Sequence, residues 1–333
     1  MRWLLFLALA AACAARAQAP GANVVDVPPW FSETLLDLRE DVREAAAEGK
    51  RLMVYFGQDG CPYCKELMVV NFSQQRIVEK ARRGFVAIAI NIWGDREVTW
   101  TDGASTSEKE FARRLKVQFT PTVLFLDEQG GIALRVNGYY PPHRFEAALD
   151  YVSARMERRI PFADYLKTAL REAASEQLHD QPFFMQPPYD LRRGRGGAKP
   201  LAVLFETRSC AACDELHREG FKRSEVLAQL ARFDVARLAL DSPLELTTPG
   251  GAKMRAADWA RELKIVYAPS IVFFDRRGRE VFRIEAYLRP FHLSGSFEYV
   301  SNGAYAREPS FQRYLQAKAE RMRARGKAVD LWK

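Results

Sequence analysis

The second half of this chain echoes the first. "CPYCKEL" from Cys61 answers "CAACDEL" from Cys210, "FARRLKVQFTPTVLFLDEQG" answers "WARELKIVYAPSIVFFDRRG" almost residue for residue, and "NGYYPPHRF" answers "EAYLRPFHL". Colinearity of this kind marks a duplicated unit, so whatever fold one half adopts the other must adopt as well. The 333 residues suit two domains on a prior of roughly 150 residues each. A hydrophobic content of 48% is enough for two buried cores.

Each unit alternates strand and helix patterns. In the first, "RLMVYF" reads as a strand, "CPYCKELMVVNF" opens a helix, "SQQRIVEKARRG" continues helical, and "FVAIAINIW" is a buried strand by its apolar run. "SEKEFARRLKV" is then a helix, "TVLFLD" and "IALRVNG" are strands joined at "EQGG", and "PPHRFEAALDYVSARM" closes as an amphipathic helix. A helix over "SETLLDLREDVREAAAEGK", capped by Ser32, precedes them. The second unit repeats this order from "PLAVLFE" to "EVFRIEAY". Beyond Pro290, "FHLSGSFEYVSNGAYAREPS" is expected to delay the last helix to about 309–325. Between the units, a helix near 162–178 leads into "DQPFFMQPPYDLRRGRGGAKP", a linker by its Pro, Gly and Arg content. Its "PFFMQPPY" is apolar enough to lie partly against a domain surface.

Of five cysteines, Cys13 lies in an N-terminal apolar run, and the others form two CxxC pairs, Cys61 with Cys64 and Cys210 with Cys213. Cysteines three positions apart share a helix face, within reach of an S–S bond. At a helix start the backbone favours a thiolate on the first sulfur, so that thiol can attack at neutral pH while the second resolves the mixed disulfide. An inert staple is a weaker reading, because so short a loop joins nothing remote. Zinc ribbons space their pairs by roughly 15 to 20 residues, far fewer than separate these two. Neither motif is a haem attachment site, since Lys65 or Asp214 follows the second cysteine where His would be needed. His217 completes a C-x-x-C-x-x-x-H string but reads as a helix-surface residue, and His143, His179 and His292 as surface or cap residues.

The CxxC pairs, their strand-to-helix setting and the distant "FTPT" and "YAPS" together resemble the thioredoxin family, over nearly the whole chain beyond the leader and twice. The resemblance implies an α/β fold of two tandem thioredoxin-like domains, each a central mixed β-sheet flanked by helices. The domains would span 30–157 and 198–326, joined by a helix and linker over 158–197. It further implies a cis-proline beside each disulfide, preceded by a residue whose backbone binds an extended substrate: Thr120 with Pro121, and Ala268 with Pro269. The polar insertion in "NIWGDREVTWTDGASTSEKEF" is similar to SoxW-type periplasmic thioredoxin-related proteins, and "CAAC" is similar to the periplasmic domain of the thiol reductase DsbD. Both favour the reducing branch of thiol exchange, with protein thiols and disulfides as substrates, a membrane thiol-electron transporter as a partner, and no bound cofactor. The chain departs from the family pattern at several positions. The usual Trp before the first cysteine is Gly60 or Ser209, and the buried Asp six residues before it is Tyr55 or Leu204. Proton movement to the resolving thiol then needs another route, with Asp59, Lys65 and Glu66 near one site and Glu206, Asp214 and Glu215 near the other. An alternative division of labour makes one domain, the second in particular, a protein-binding module.

The opening "MRWLLFLALAAACAARAQAPG" has the basic start, apolar run and small-residue cleavage sites of a secretory leader, expected to span 1–17, with lipidation at Cys13 as the rival. The expected location is the bacterial periplasm, where disulfides persist. No later stretch is long and apolar enough for a membrane span, so the mature chain is not expected to be an integral membrane protein. Loss of Arg2 and Arg16 with the leader takes the formal charge from +8 to 8 − 2 = +6. That modest excess lies largely in the C-terminal "KAERMRARGK", which reads as a solvated helix face; nothing resembles a nucleic-acid-binding module.

Overall fold

The computed structural model describes residues 25–170, 175–194, 199–285, 288–327 and 329, so the leader expected at 1–17, Cys13 included, lies outside the described residues. The first unit begins with α1 (Leu38–Ala47), β1 (Arg51–Gly57), α2 (Pro62–Glu66) prolonged by a π turn (Leu67–Asn71), α3 (Gln75–Gly84) and β2 (Phe85–Asn91). A hairpin of β3 (Glu97–Thr99) and β4 (Ser105–Ser107) leads to α4 (Glu108–Arg114), β5 (Thr122–Leu126), β6 (Ile132–Asn137) and α5 (Pro142–Ser153). Then come α6 (Phe162–Ala169) and β7 (Tyr189–Asp190). The second unit repeats the plan with β8 (Leu201–Glu206), α7 (Ala211–Glu215) and its π turn (Leu216–Gly220), α8 (Ser224–Leu230) and β9 (Asp234–Ala239). It continues through β10 (Glu245–Thr247), β11 (Lys253–Arg255), α9 (Ala256–Glu262), β12 (Ser270–Phe274), β13 (Glu280–Ile284) and α10 (Pro290–Ser301), and α11 (Phe311–Ala324) is the last element among the described residues.

The two main sheets have the same order, β2-β1-β5-β6 and β9-β8-β12-β13. In each, the first pair is parallel and the other two antiparallel, which makes the sheet mixed. Every residue of β1 and β8 is buried, because helices cover both sheet faces. Alternate residues feed opposite cores: Met53 and Tyr55 pack with Phe125 and Phe145, whereas Leu52, Val54 and Phe56 pack with Ile88 and Phe111.

The loop before each cis-proline inserts into the other domain. Phe119 belongs to the core of the second domain, with ring centroids 5.7 Å from Phe282 and 5.5 Å from Phe311. Its repeat equivalent, Tyr267, belongs to the core of the first, 5.2 Å from the Tyr140 ring and accepting a 2.9 Å hydrogen bond from Arg144 Nη1. The equivalent residues Asn137 and Glu285 meet each other, Asn137 Nδ2 donating to Glu285 Oε2 at 2.8 Å. Matched residues meeting across the join give the domains an approximate two-fold relation, like an isologous dimer built into one chain.

Four sequence expectations need correction. The first helix starts at Leu38, not near Ser32: Leu36 has a left-handed φ of 59°, and Asp37 is the cap, its Oδ1 accepting from Arg39 N at 3.1 Å. The helix expected over 162–178 ends at Ala169, with Leu170 already extended; residues 171–174 lie outside the described residues. The last helix does fall at the expected 309–325, as α11 (Phe311–Ala324), but the segment expected only to delay it is itself helical: Pro290–Ser301 is α10, matching α5. Its "SGS" lies at a close helix crossing: a Cβ on Gly295 would collide with the Leu315 side chain of α11. His217 and His292 are buried rather than on the surface, which follows from apolar packing around each helix. The linker is only partly a spacer, with Phe184, Tyr189 and Leu191 buried and Tyr189–Asp190 paired in parallel with β10.

Candidate active site

Each CxxC pair sits where a buried strand hands over to a helix. Cys61 and Cys210 occupy the cap positions of α2 and α7, and their Sγ atoms accept from Cys64 N at 3.0 Å and Cys213 N at 3.1 Å. Both pairs are disulfide-bonded, with Cα atoms 5.2 Å apart. The first cysteines are 5% and 7% exposed and the second ones 0% and 3%, so the first cysteine of each pair is the one nearer solvent. The N–H of Cys64 or Cys213, in the first turn of the helix, is thus directed at the first sulfur, the kind of contact that favours negative charge on it.

The predicted groove residues come to the same places. Thr120–Pro121 and Ala268–Pro269 are cis peptides. Cys61 Sγ lies 3.4 Å from the Thr120 carbonyl oxygen and 3.3 Å from its hydroxyl, and Cys210 Sγ lies 3.7 Å from the Ala268 carbonyl oxygen. The loop before each cis-proline thus presents backbone groups directly beside the first sulfur of the pair.

The surroundings differ. Gly60 has a φ of 70°, where glycine is at ease. Its equivalent Ser209 takes a φ of 54°, and the linker braces it: Ser209 N donates to Ser175 O and Ser209 Oγ to Glu176 Oε1, both at 2.9 Å. Site 1 instead opens into a cleft of about 590 Å³ whose far wall is α11 of the second domain. Gln58 joins the walls, its Nε2 donating to Thr120 Oγ1 and Gln312 Oε1 at 3.0 Å each. Trp93 donates to Gln58 Oε1 over 2.5 Å and carries the Arg313 guanidinium 4.9 Å above its ring.

Beneath the cysteines the domains diverge further. Tyr55, at the position of the family's buried acid, is buried with its hydroxyl unpaired among the described residues, and burial with the nearby Asp59 charge holds its proton well above the ordinary phenol range. A Cβ on Gly57 would collide with that hydroxyl. In the second domain Leu204 is apolar, but Glu206 and His217 form a buried pair 2.8 Å apart. Of the charged residues near the cysteines in sequence, Asp214 binds His179 Nε2 and Ser175 N, while Glu66 and Arg289 approach to 3.6 Å. The burial of His217 against Glu206 was not apparent from its own motif. The repeat held the signal, since His217 and Glu206 stand where the first unit has Met68 and Gly57. Among the described residues, no cluster of His, Cys, Asp or Glu is arranged to hold a metal, and no helix is long and apolar enough to cross a membrane.

The family profile of the thioredoxin-like domain matches this chain twice, over 38–153 and 188–301, and the chain belongs to that family. With a helix-capping CxxC in each domain, it is a thiol-disulfide oxidoreductase. Among solved structures it is similar to a thioredoxin-fold protein from Helicobacter pylori, at 22% identity over 42% of this chain and 91% of that one, with a TM-score of 0.35. A thioredoxin from Thermus thermophilus aligns at 28% identity over 35% of this chain and 83% of its own, TM-score 0.28. The C-terminal domain of Neisseria meningitidis DsbD, in its reduced form, aligns at 14% over 32% and 84%, TM-score 0.25. Comparison with curated proteins gives no match.

Proposed function

We propose that the chain exchanges electrons with protein thiols and disulfides in the bacterial periplasm, chiefly as a reductant, with both CxxC pairs active. The observation that carries this reading is the twofold recurrence of one geometry: a surface-side sulfur on a helix cap, a buried partner sulfur, and a cis-proline loop against the first. Reduced Cys61 or Cys210 attacks a substrate disulfide, forming a mixed disulfide and releasing one substrate thiolate. Cys64 or Cys213 then attacks the first cysteine, closing the protein disulfide and releasing the second substrate thiolate. Thr120 and Ala268 hold the substrate backbone, with Pro121 and Pro269 shaping the groove. The periplasmic location rests on the leader-like N-terminus, and a membrane thiol-electron transporter is a fitting source of electrons.

Equilibration of each dithiol in glutathione or dithiothreitol buffers, with the other pair changed to serine, tests direction. Values near roughly −270 mV support a reductant, and values near about −120 mV an oxidant. A second reading, in which the braced second domain chiefly holds a partner protein, is favoured by the open cleft at site 1. It requires Cys210→Ser to leave exchange intact while Cys61→Ser abolishes it.

A further inference from the structure

The second domain holds an acid–base pair that its twin lacks. Glu206 and His217 are 1% and 2% exposed, with Glu206 Oε1 2.8 Å from His217 Nε2. Gln181 Nε2 donates to His217 Nδ1 at 3.2 Å, so a neutral ring carries its proton on Nε2 and shares it with the carboxylate. Glu206 Oε2 is buried and has no hydrogen-bond partner among the described residues. An idle oxygen on a buried acid is costly, and such groups concentrate where a protein moves protons.

The shared architecture does not call for such a pair. The first domain lays the same helix on the same sheet with Met68 and Gly57 at the equivalent positions. Position ties the pair to the dithiol: Glu206 ends the strand that feeds the Cys210 turn, and His217 follows Cys213 by four residues, one turn on along the same helix. Charged and titratable neighbours are few. Asp214 Oδ1 meets His179 Nε2 at 2.6 Å, the His179 ring lies 4.7 Å from that of His217, and Arg237 lies 5.7 Å from the Phe184 ring that packs on His217. Glu215, Arg218 and Glu219 of the same helix are exposed.

We propose that Glu206 and His217 together accept the proton of the Cys213 thiol when the second dithiol is oxidised, and return it on reduction. The proposal rests on the dithiol-exchange reading above. In the mixed disulfide, the Cys213 S–H proton passes to the pair, and the sulfur electron pair forms the Cys210–Cys213 bond. The bond from Cys210 to the substrate sulfur breaks, its electrons leaving on the substrate thiolate, which takes up a proton from solvent as the pair releases its own. Over the full exchange the domain loses two electrons and two protons, and the substrate disulfide gains both.

The test uses the full chain carrying Cys61→Ser and Cys64→Ser, reduced and mixed in stopped flow with one equivalent of the chromogenic disulfide 5,5′-dithiobis(2-nitrobenzoate). The first release of aryl thiolate reports attack by Cys210 and the second reports attack by Cys213. Glu206→Gln and His217→Gln are expected to slow the second phase relative to the first by about tenfold or more and to flatten its pH profile, with Glu206→Asp recovering part of the rate. Circular dichroism establishes which variants fold, and either folded variant decides. An unchanged ratio and pH profile in a folded variant overturns the proton role while leaving dithiol exchange in place. A parent chain that never releases the second thiolate overturns the exchange reading and the proposal with it.

Discussion

The two domains share strand order, helix-capping cysteines and cis-proline loops, yet differ in what surrounds those shared contacts. Site 1 has a glycine turn, an interdomain cleft and a buried phenol below; site 2 has a strained serine braced by the linker and a buried carboxylate–imidazole pair below. The shared parts are those that the backbone demands. At Gly57 and Met68 versus Glu206 and His217 the fold asks only that the space be filled, so polar chemistry there can change in one copy without altering the other.

The largest expected effect tests whether both sites work. Cys61→Ser and Cys210→Ser should each reduce exchange at their own site to the uncatalysed background, leaving the other site active, measured by mixed-disulfide trapping of each remaining pair. If one substitution has no effect on total activity, the two domains differ in function and not merely in tuning.

The join between the domains gives the next effect. Phe119→Ala should cost about 3–5 kcal/mol, as core aromatic truncations do, and the loss should appear in the second domain, whose core receives the ring. Tyr267→Ala should weaken the first domain in the same crossed sense. Hydrogen exchange read separately on β1 and β8 checks this. Loosening confined to the domain that supplies the ring would mean that the insertion carries little energy.

This crossed packing marks the boundary of what was legible beforehand. The repeat, the alternating elements and the CxxC and Thr120–Pro121 and Ala268–Pro269 motifs could be read because each is a local pattern or a spacing within one unit. The exchange of Phe119 and Tyr267 could not, since each looks like an ordinary apolar residue before a proline and only the docking decides which core it enters. The same holds for the cleft wall supplied by Gln312 and Gln316, far from Cys61 in sequence. Element ends depended on single backbone features, such as Leu36 in a left-handed conformation and Gly295 at a helix crossing, that periodicity does not carry.

Acid should distinguish the domains again. His292 is buried in α10, and burial first, then Arg289 and Lys318, lowers its pKa from the ordinary 6.5 to about 4; its equivalent in the first domain is Arg144, not a histidine. Between those values the unfolded chain binds a proton that the folded chain does not, so stability falls as pH is lowered through the window. The loss should be on the order of 3 kcal/mol, complete below about pH 4. Urea unfolding of the second domain at both ends of the window should show this slope, and His292→Gln should remove most of it. A slope of equal size in the first domain would assign the effect to other groups.

The smallest effect concerns the residues between the cysteines. Pro62 stands at the first helical position of α2 and has no N–H, whereas Ala211 at the same position of α7 keeps one at the helix start that follows Cys210. One more donor stabilises a thiolate and therefore the reduced form, so Pro62→Ala should make site 1 more oxidising and Ala211→Pro should make site 2 more reducing. Each shift should be about 30 mV, or 1.4 kcal/mol for a two-electron couple. Both are read as single-site potentials with the other pair changed to serine. If the exchanged residues leave both potentials in place, the difference between the sites lies below the sulfurs, and Glu206→Gln should then move the second potential where Ala211→Pro did not.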